Sequence, residues 1–171
     1  MVRTKKIYRE HLLHGAYQLV VNDGFKHFHA RNVAKQIQCS TQPIYREFEN
    51  LKEFKDSLCV FIIQKVENFF KKHPIDDLDA LSHTIAAYSK KYPKEFQRFF
   101  IEDNQCSEYL ENYIRNHFEK VMKDSDYADM PQEKKDSTFK LFWYYTIGRL
   151  TLQTNQDMPQ ENCEHLLVSS K

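Results

Sequence analysis

Glycine is almost missing from this chain, with three in 171 residues, and proline is scarce at five. A fold built on tight hairpins is excluded by that shortage, because left-handed turns and close backbone approaches are where glycine is needed. No Gly-rich phosphate loop, nucleophile elbow or metal-ligand spacing occurs, so the chain reads as a non-enzyme that holds no cofactor and no metal. No stretch approaches about 18 consecutive apolar residues, so no membrane span is expected, and no signal peptide is legible. The four cysteines, Cys39, Cys59, Cys106 and Cys163, are dispersed, with no zinc spacing and no Cys-x-x-Cys. They read as free thiols, buried or spectator, in a reduced, cytoplasmic protein.

Hydrophobic residues make up 41% and aromatics 14%, which supports a packed core and excludes global disorder. The net charge of +1 conceals an asymmetry, with a balance of +6 over residues 1–72 and −5 over 73–171. A basic head on an acidic body suits a nucleic-acid partner for the first part.

Long periodic stretches predict an all-α chain. Leu12, Leu13, Ala16, Leu19 and Val20 recur at helical spacing over about 5–22, with Thr4 as cap and Asp23-Gly24 as stop. A short second helix is expected at about 30–37 and a third from a Ser40 cap to about Phe48, with Pro43 in its first turn. Asn50 and Glu53 form a capping box for a long fourth helix to about Lys72, ended by His73-Pro74. Further helices are expected at about 76–91, 94–103, 105–124, 133–154 and 160–169. The domain reading is 1–55 for a head and 56–171 for a body, joined through the fourth helix.

Two short helices around the turn Gln38-Cys39-Ser40, flanked by longer ones, spell a helix-turn-helix. Ala34 is small where the two cross, Val33, Ile37 and Ile44 fill the wedge, and Thr41, Gln42 and Arg46 are left free of core duty. Such a third helix fits a DNA major groove.

The ordered set Leu12-Leu13, Gly15-Ala16, Leu19-Val20, Gly24-Phe25, Val33-Ala34, Ser40-Thr41-Gln42-Pro43-Ile44-Tyr45-Arg46-Glu47-Phe48 and Phe54 resembles the N-terminal domain of the TetR/AcrR repressors over about residues 7–56. The resemblance implies a homodimeric, ligand-responsive repressor on a palindromic operator. It puts Thr41, Gln42 and Pro43 near base edges, the Tyr45 hydroxyl on a phosphate, and a phosphate contact at the residue capping the second helix, here His29. The chain departs from the family at four places. His29 stands for the usual Thr and Gln38 for the usual turn Gly, at about 1 kcal/mol if left-handed. Glu47 replaces a His or Tyr aimed at the backbone. Leu51 stands for a phosphate-touching Lys, with Lys52 and Lys55 as substitutes.

Several residues carry two readings. The Tyr45 ring can close the small core while its hydroxyl points outward. Arg46 is a DNA contact or a solvated arginine, and Lys5, Lys6 and Arg9 are a phosphate-facing arm or an ordinary charge run. His11 and His14, near His27 and His29, are scattered histidines rather than a metal site. In the body, Tyr88, Tyr92, Phe96, Tyr109 and Tyr113 are candidate walls for a small apolar effector, with core packing as the alternative. Phe139, Phe142, Trp143, Ile147, Gly148 and Leu150 form a candidate dimer stripe, with Leu166, Leu167 and Val168 as a second surface. The competing function is a helical protein-interaction module in which the helix-turn-helix is packing only.

Overall fold

Leu12, Ala16, Leu19 and Val20 lie on one buried stripe of the first helix, α1 (Arg9–Asp23). A computed structural model describes the chain over residues 7–103 and 105–152. Every regular element among the described residues is helical. Thr4, expected as the first cap, and the stretch 160–169 with Leu166, Leu167 and Val168 lie outside the described residues. Tyr8 precedes α1 in extended conformation, and its N–H donates to His11 Nδ1 at 3.4 Å. Gly24 stops the helix at φ 85°, donating its N–H to Val20 O at 2.8 Å. A β-carbon there would come within 3.0 Å of the Arg98 guanidinium, so the turn needs glycine for both conformation and space.

A 3₁₀ turn (Phe25–His27) leads to α2 (Ala30–Gln36), and α3 follows at Gln42–Glu47. The third helix thus starts later than a Ser40 cap would place it. Thr41 is its cap residue, already in helical conformation at φ −76°, ψ −13°, and makes no side-chain cap bond. A capping hydroxyl reaches the following amides from an extended residue, which Thr41 is not.

The long α4 (Leu51–Phe70) is capped as the sequence indicates, with Asn50 Oδ1 accepting from Glu53 N at 2.9 Å. The reciprocal half differs, since Glu53 Oε2 accepts from Glu49 N at 2.7 Å rather than from Asn50. After His73-Pro74 come α5 (Leu78–Lys91), started by Asp77, and α6 (Pro93–Phe96), which runs into a π-helical turn (Gln97–Glu102). The last described helices are α7 (Ser107–Lys123) and α8 (Gln132–Leu152).

One apolar cluster runs from Leu12 and Val33 through Phe54, Leu58 and Ile62 to Phe118, Phe139 and Phe142. The side of α4 that closes the small N-terminal core therefore continues into the larger one. Arg115 fastens α7 to α8, through Asp136 at 3.0 Å and across the Phe139 ring at 4.1 Å.

The expectation of free thiols is corrected for two cysteines. Cys59 of α4 and Cys106, just before α7, form a disulfide with Cα atoms 5.4 Å apart. Both are buried. They lie 47 residues apart, so no local spacing announces the pair, and only the packing of α4 on α7 joins them. Cys39 is a free thiol, half-buried, and Cys163 lies outside the described residues.

Candidate nucleic-acid interface

The geometry of the α2–turn–α3 unit rests on an inward half that is closed and an outward half that is not. Val33, Ala34, Ile44 and Phe48 are buried, and Phe48 stacks on Phe54 with centroids 4.2 Å apart. Gln38 takes φ 56°, the left-handed conformation that turns the chain between the helices without a glycine. Such a conformation costs a non-glycine residue about 1 kcal/mol. Helix α1 approaches this unit closely at Gly15, where a β-carbon would sit 2.0 Å from Ile37 Cγ2.

A second tie, not legible in the sequence, fixes the start of α1. Arg9 donates to Glu47 O at 2.7 Å, Glu53 Oε1 at 3.1 Å and Ser57 Oγ at 2.7 Å, and its guanidinium lies 4.2 Å from the centre of the Phe48 ring. Arg9 is therefore neither a free arm nor a solvated charge. It joins α1 to the end of α3 and the start of α4. The Glu53 carboxyl is held below the ordinary range, chiefly by the Glu49 amide and then by the Arg9 hydrogen bond. Lys5 and Lys6 are outside the described residues.

His29, Gln42, Tyr45, Arg46 and Lys52 are exposed, while Thr41 and Pro43 are half-buried. His29 occupies the cap of α2 in extended conformation without a side-chain cap bond. Tyr45 is 59% exposed, so its ring does not close the core as expected; Phe48 on Phe54 does that. Arg46 donates to Ile7 O at 2.7 Å and pairs with Glu47 Oε1 at 3.1 Å. Glu47 is thereby neutralised by its neighbour rather than presented bare. Of the two lysines offered as phosphate contacts, Lys52 stays outward with Asp56 at 3.4 Å. Lys55 turns inward, bonding Gln105 of the body and lying over the Phe25 ring of the head. Beside α3 opens a groove of about 860 Å³ rimmed by His11, His14, Gln42 and Arg46. His14 packs edge-on against Phe61 at 4.9 Å. Among the described residues no cluster of His, Cys, Asp and Glu is arranged to hold a metal, and no helix is long and apolar enough to cross a membrane.

With this geometry in view, comparison with known proteins adds little. No family model matches the chain, and no curated protein does. Among solved structures it is similar to the crystal structure of Mycobacterium smegmatis AmtR, at 13% identity, covering 99% of this chain and 86% of that one, with a TM-score of 0.46. A likeness of that order bears on neither function nor partners.

The five candidate effector walls fall in different surroundings. Tyr88 is buried and donates to Glu95 Oε2 at 2.9 Å, with Tyr92 beside it at 5.2 Å between ring centres. Burial, and then Glu95, push the Tyr88 hydroxyl far above its ordinary pKa; burial does the same to Tyr17. Tyr113 sits apart against Phe70 at 5.5 Å, its pKa raised by burial to about 12. Tyr109 is 43% exposed and lines no interior. A groove of about 460 Å³ does open between α5, α6 and α8, and of the five Phe96 alone lines it, with Ser89, Pro93, Ile101 and Leu150.

The dimer stripe needs a larger correction. Phe139, Phe142 and Leu150 are buried in the chain's own core, Phe139 and Phe142 against Phe118 at 5.4 and 5.8 Å. They are spoken for within the monomer and leave nothing to offer a partner. Trp143 is half-buried between Phe100 at 6.1 Å and Phe139 at 6.3 Å, and Ile147 is half-buried as well. The apolar side chains that α8 presents outward are Leu141, Tyr144 and Leu152, beside exposed Gly148 and among exposed Lys134, Ser137, Lys140 and Thr151. Among the described residues, nothing outside the helix backbone lies within 4 Å of a β-carbon placed on Gly148.

Proposed function

We propose that this chain is a DNA-binding transcription regulator, a cytoplasmic homodimeric repressor that reads a palindromic operator and responds to a small apolar effector. One observation carries the reading. A short helix, α3, holds its inner side in a closed core through Ile44 while Gln42, Tyr45 and Arg46 stand outward on the more basic part of the chain. Side chains so placed reach base edges and phosphates when a helix enters the major groove. Residues 1–55 then act as the reading head, with His29, Thr41, Pro43 and Lys52 at its margins, and 56–171 as the effector-binding and dimerising body. The outward apolar face of α8 supports self-association, since a helix apolar on both sides buries the second against a partner. The groove lined by Phe96, Ile101 and Leu150 suits a greasy effector with one or two polar handles.

The Arg46–Glu47 pair and the Arg46 bond to Ile7 O favour a second reading, in which the unit is packing only and the chain is a protein-interaction module. Duplex selection from a random library, followed by titration at rising salt, decides between them. The first reading expects affinity to fall steeply with salt, Arg46→Ala to flatten that slope and Gln42→Ala to change sequence preference. If Gln42→Ala, Tyr45→Phe and Arg46→Ala all bind the selected duplex as the unaltered protein does, the docking is refuted.

A further inference from the structure

Arg98, Asp103, Gln105 and Cys106, on the strap from the π turn to the start of α7, hold α1, the 3₁₀ turn and α4 at four points. Arg98 donates to Asn22 O at 3.4 Å while paired to Glu102 at 2.6 Å. Asp103 Oδ2 accepts from Phe25 N at 3.1 Å, just past the tight Gly24 turn. Gln105 receives Lys55, and Cys106 is bonded to Cys59. Two of these contacts reach the end of α1 and the 3₁₀ turn, and two reach the first half of α4. The strap therefore sets how the α2–α3 unit sits on the body. Three contacts are hydrogen bonds that re-form as readily as they break. The fourth is covalent, and its presence depends on the redox state of the surroundings.

A disulfide in a protein that works on DNA stands where glutathione and thioredoxin keep thiols reduced, and bonds found there are characteristically transient and regulatory. Both sulfurs are buried, so two thiols need van der Waals room that the bonded pair does not. Reduction removes the covalent tie, leaving the hydrogen bonds alone to hold α4 on the strap.

We propose that Cys59–Cys106 is a redox switch that sets DNA affinity by tying α4, on which the reading head is mounted, to the strap before α7; the proposal rests on the DNA-binding reading above. The reductant is a dithiol of the thioredoxin type. Cys106 is fully buried, so the thiolate reaches its Sγ when the strap opens locally at exposed Gln105, and Cys59 leaves as a thiolate. The second thiol of the reductant then attacks its own sulfur in the mixed disulfide and expels Cys106. The two released thiolates take up two protons, and the reductant ends as its disulfide. The tied form is the one that binds tightly. A dimer whose heads hold a fixed separation meets two half-sites without an ordering cost, whereas freed heads must be ordered on binding.

The test uses the full chain with Cys39→Ser and Cys163→Ser, so that the pair alone titrates, and a duplex selected from a random library as probe. Oxidised and dithiothreitol-reduced protein are compared by fluorescence anisotropy and by amide hydrogen exchange. Reduction should weaken binding about tenfold, within the usual range of a coupling between sites, and speed exchange over 25–28 and 97–106. Cys59→Ser with Cys106→Ser should bind like the reduced form and ignore the reductant. Equal affinity of both forms, tighter binding on reduction, or a bond that dithiothreitol leaves intact without denaturant each overturn the switch. If neither form binds any duplex, the DNA reading fails and takes the switch with it. Redox-independent binding strikes the switch alone.

Discussion

Replacing Gly15 by Ala should destabilise the protein, although alanine is the better helix former. Gly15 lies inside α1, where the exchange is worth about 1 kcal/mol in alanine's favour from propensity alone. Against that, the new β-carbon would sit 2.0 Å from Ile37 Cγ2, well inside contact distance. Ile37 is branched at Cβ and follows the end of α2, so relieving the overlap means an off-rotamer side chain or a shift of the helix. Overpacking of this kind costs typically about 1–3 kcal/mol. An overlap this deep draws on the upper half of that range, about 2–3 kcal/mol, so the net expectation is a loss of about 1–2 kcal/mol, and a chain of this size changes by roughly 2–4 °C in Tm for each kcal/mol. Thermal unfolding followed by circular dichroism measures it. Ile37→Ala in the same chain should recover most of the loss, giving a coupling of about 1 kcal/mol or more in a double-mutant cycle. Gly148→Ala is the contrasting case, with open space around the new methyl. It should raise the stability of the monomer by about 1 kcal/mol, and lower it only if a second α8 packs there. A rise in Tm for Gly15→Ala would show that the α1–α2 approach is looser than described and refute the reasoning.

Arg9→Met should cost about 1–2 kcal/mol, since it removes charge-assisted bonds whose partners are partly exposed; Arg9→Lys should not restore it, which urea unfolding of the three proteins checks. Because Glu53 titrates below its ordinary range in the folded chain, it stabilises above the ordinary carboxylate pKa and that stability is lost as pH falls through its lowered value. Glu53→Gln should therefore flatten the acid limb of a Tm-against-pH curve; an unchanged limb counts against the Glu49 and Arg9 bonds. Burial, then Lys120, depress His117, so stability should decline as pH drops below the ordinary histidine value, and His117→Asn should lessen that decline. Tyr144→Lys should reduce self-association measured by light scattering, and a monomeric mass for the unaltered protein at micromolar concentration would remove the α8 interface.

The elements themselves were legible because their punctuation is local. Gly24, Asn50 and Pro74 each act on their immediate neighbours, and the buried stripes of α1 and α4 repeat at helical spacing. The turn Gln38-Cys39-Ser40 was legible too, whereas its left-handed backbone entered only as a condition attached to the resemblance, and Gln38 meets it at φ 56°. What was illegible depends on the approach of distant segments. Arg9 finds its partners 38 to 48 residues away, and Cys59 finds Cys106 across 47. No periodicity carries either pairing. The orientation of α8 failed for a different reason. Apolar residues occur on more than one of its faces, so a stripe through Phe139 and Phe142 can be drawn as inward or outward with equal success. Packing against Phe118 decides it, and that ring is on another helix. Tyr45 and Phe48 were both candidates to close the small core, and it is Phe48, stacked on Phe54, that does so while Tyr45 stays exposed.

Trp143 is the chain's single tryptophan, and it sits between Phe100 and Phe139, far along the sequence from the α2–α3 unit. Its emission is therefore an optical gauge of the body alone. A melt of the N-terminal helices would leave that signal still while the far-ultraviolet helical signal fell. Two unfolding curves on one sample, one from each signal, would thus show whether the two ends of the single apolar cluster come apart together or in turn. Coincident curves mean that α4 transmits cohesion along its whole length, and curves that part locate the weak point on the N-terminal side of Leu58.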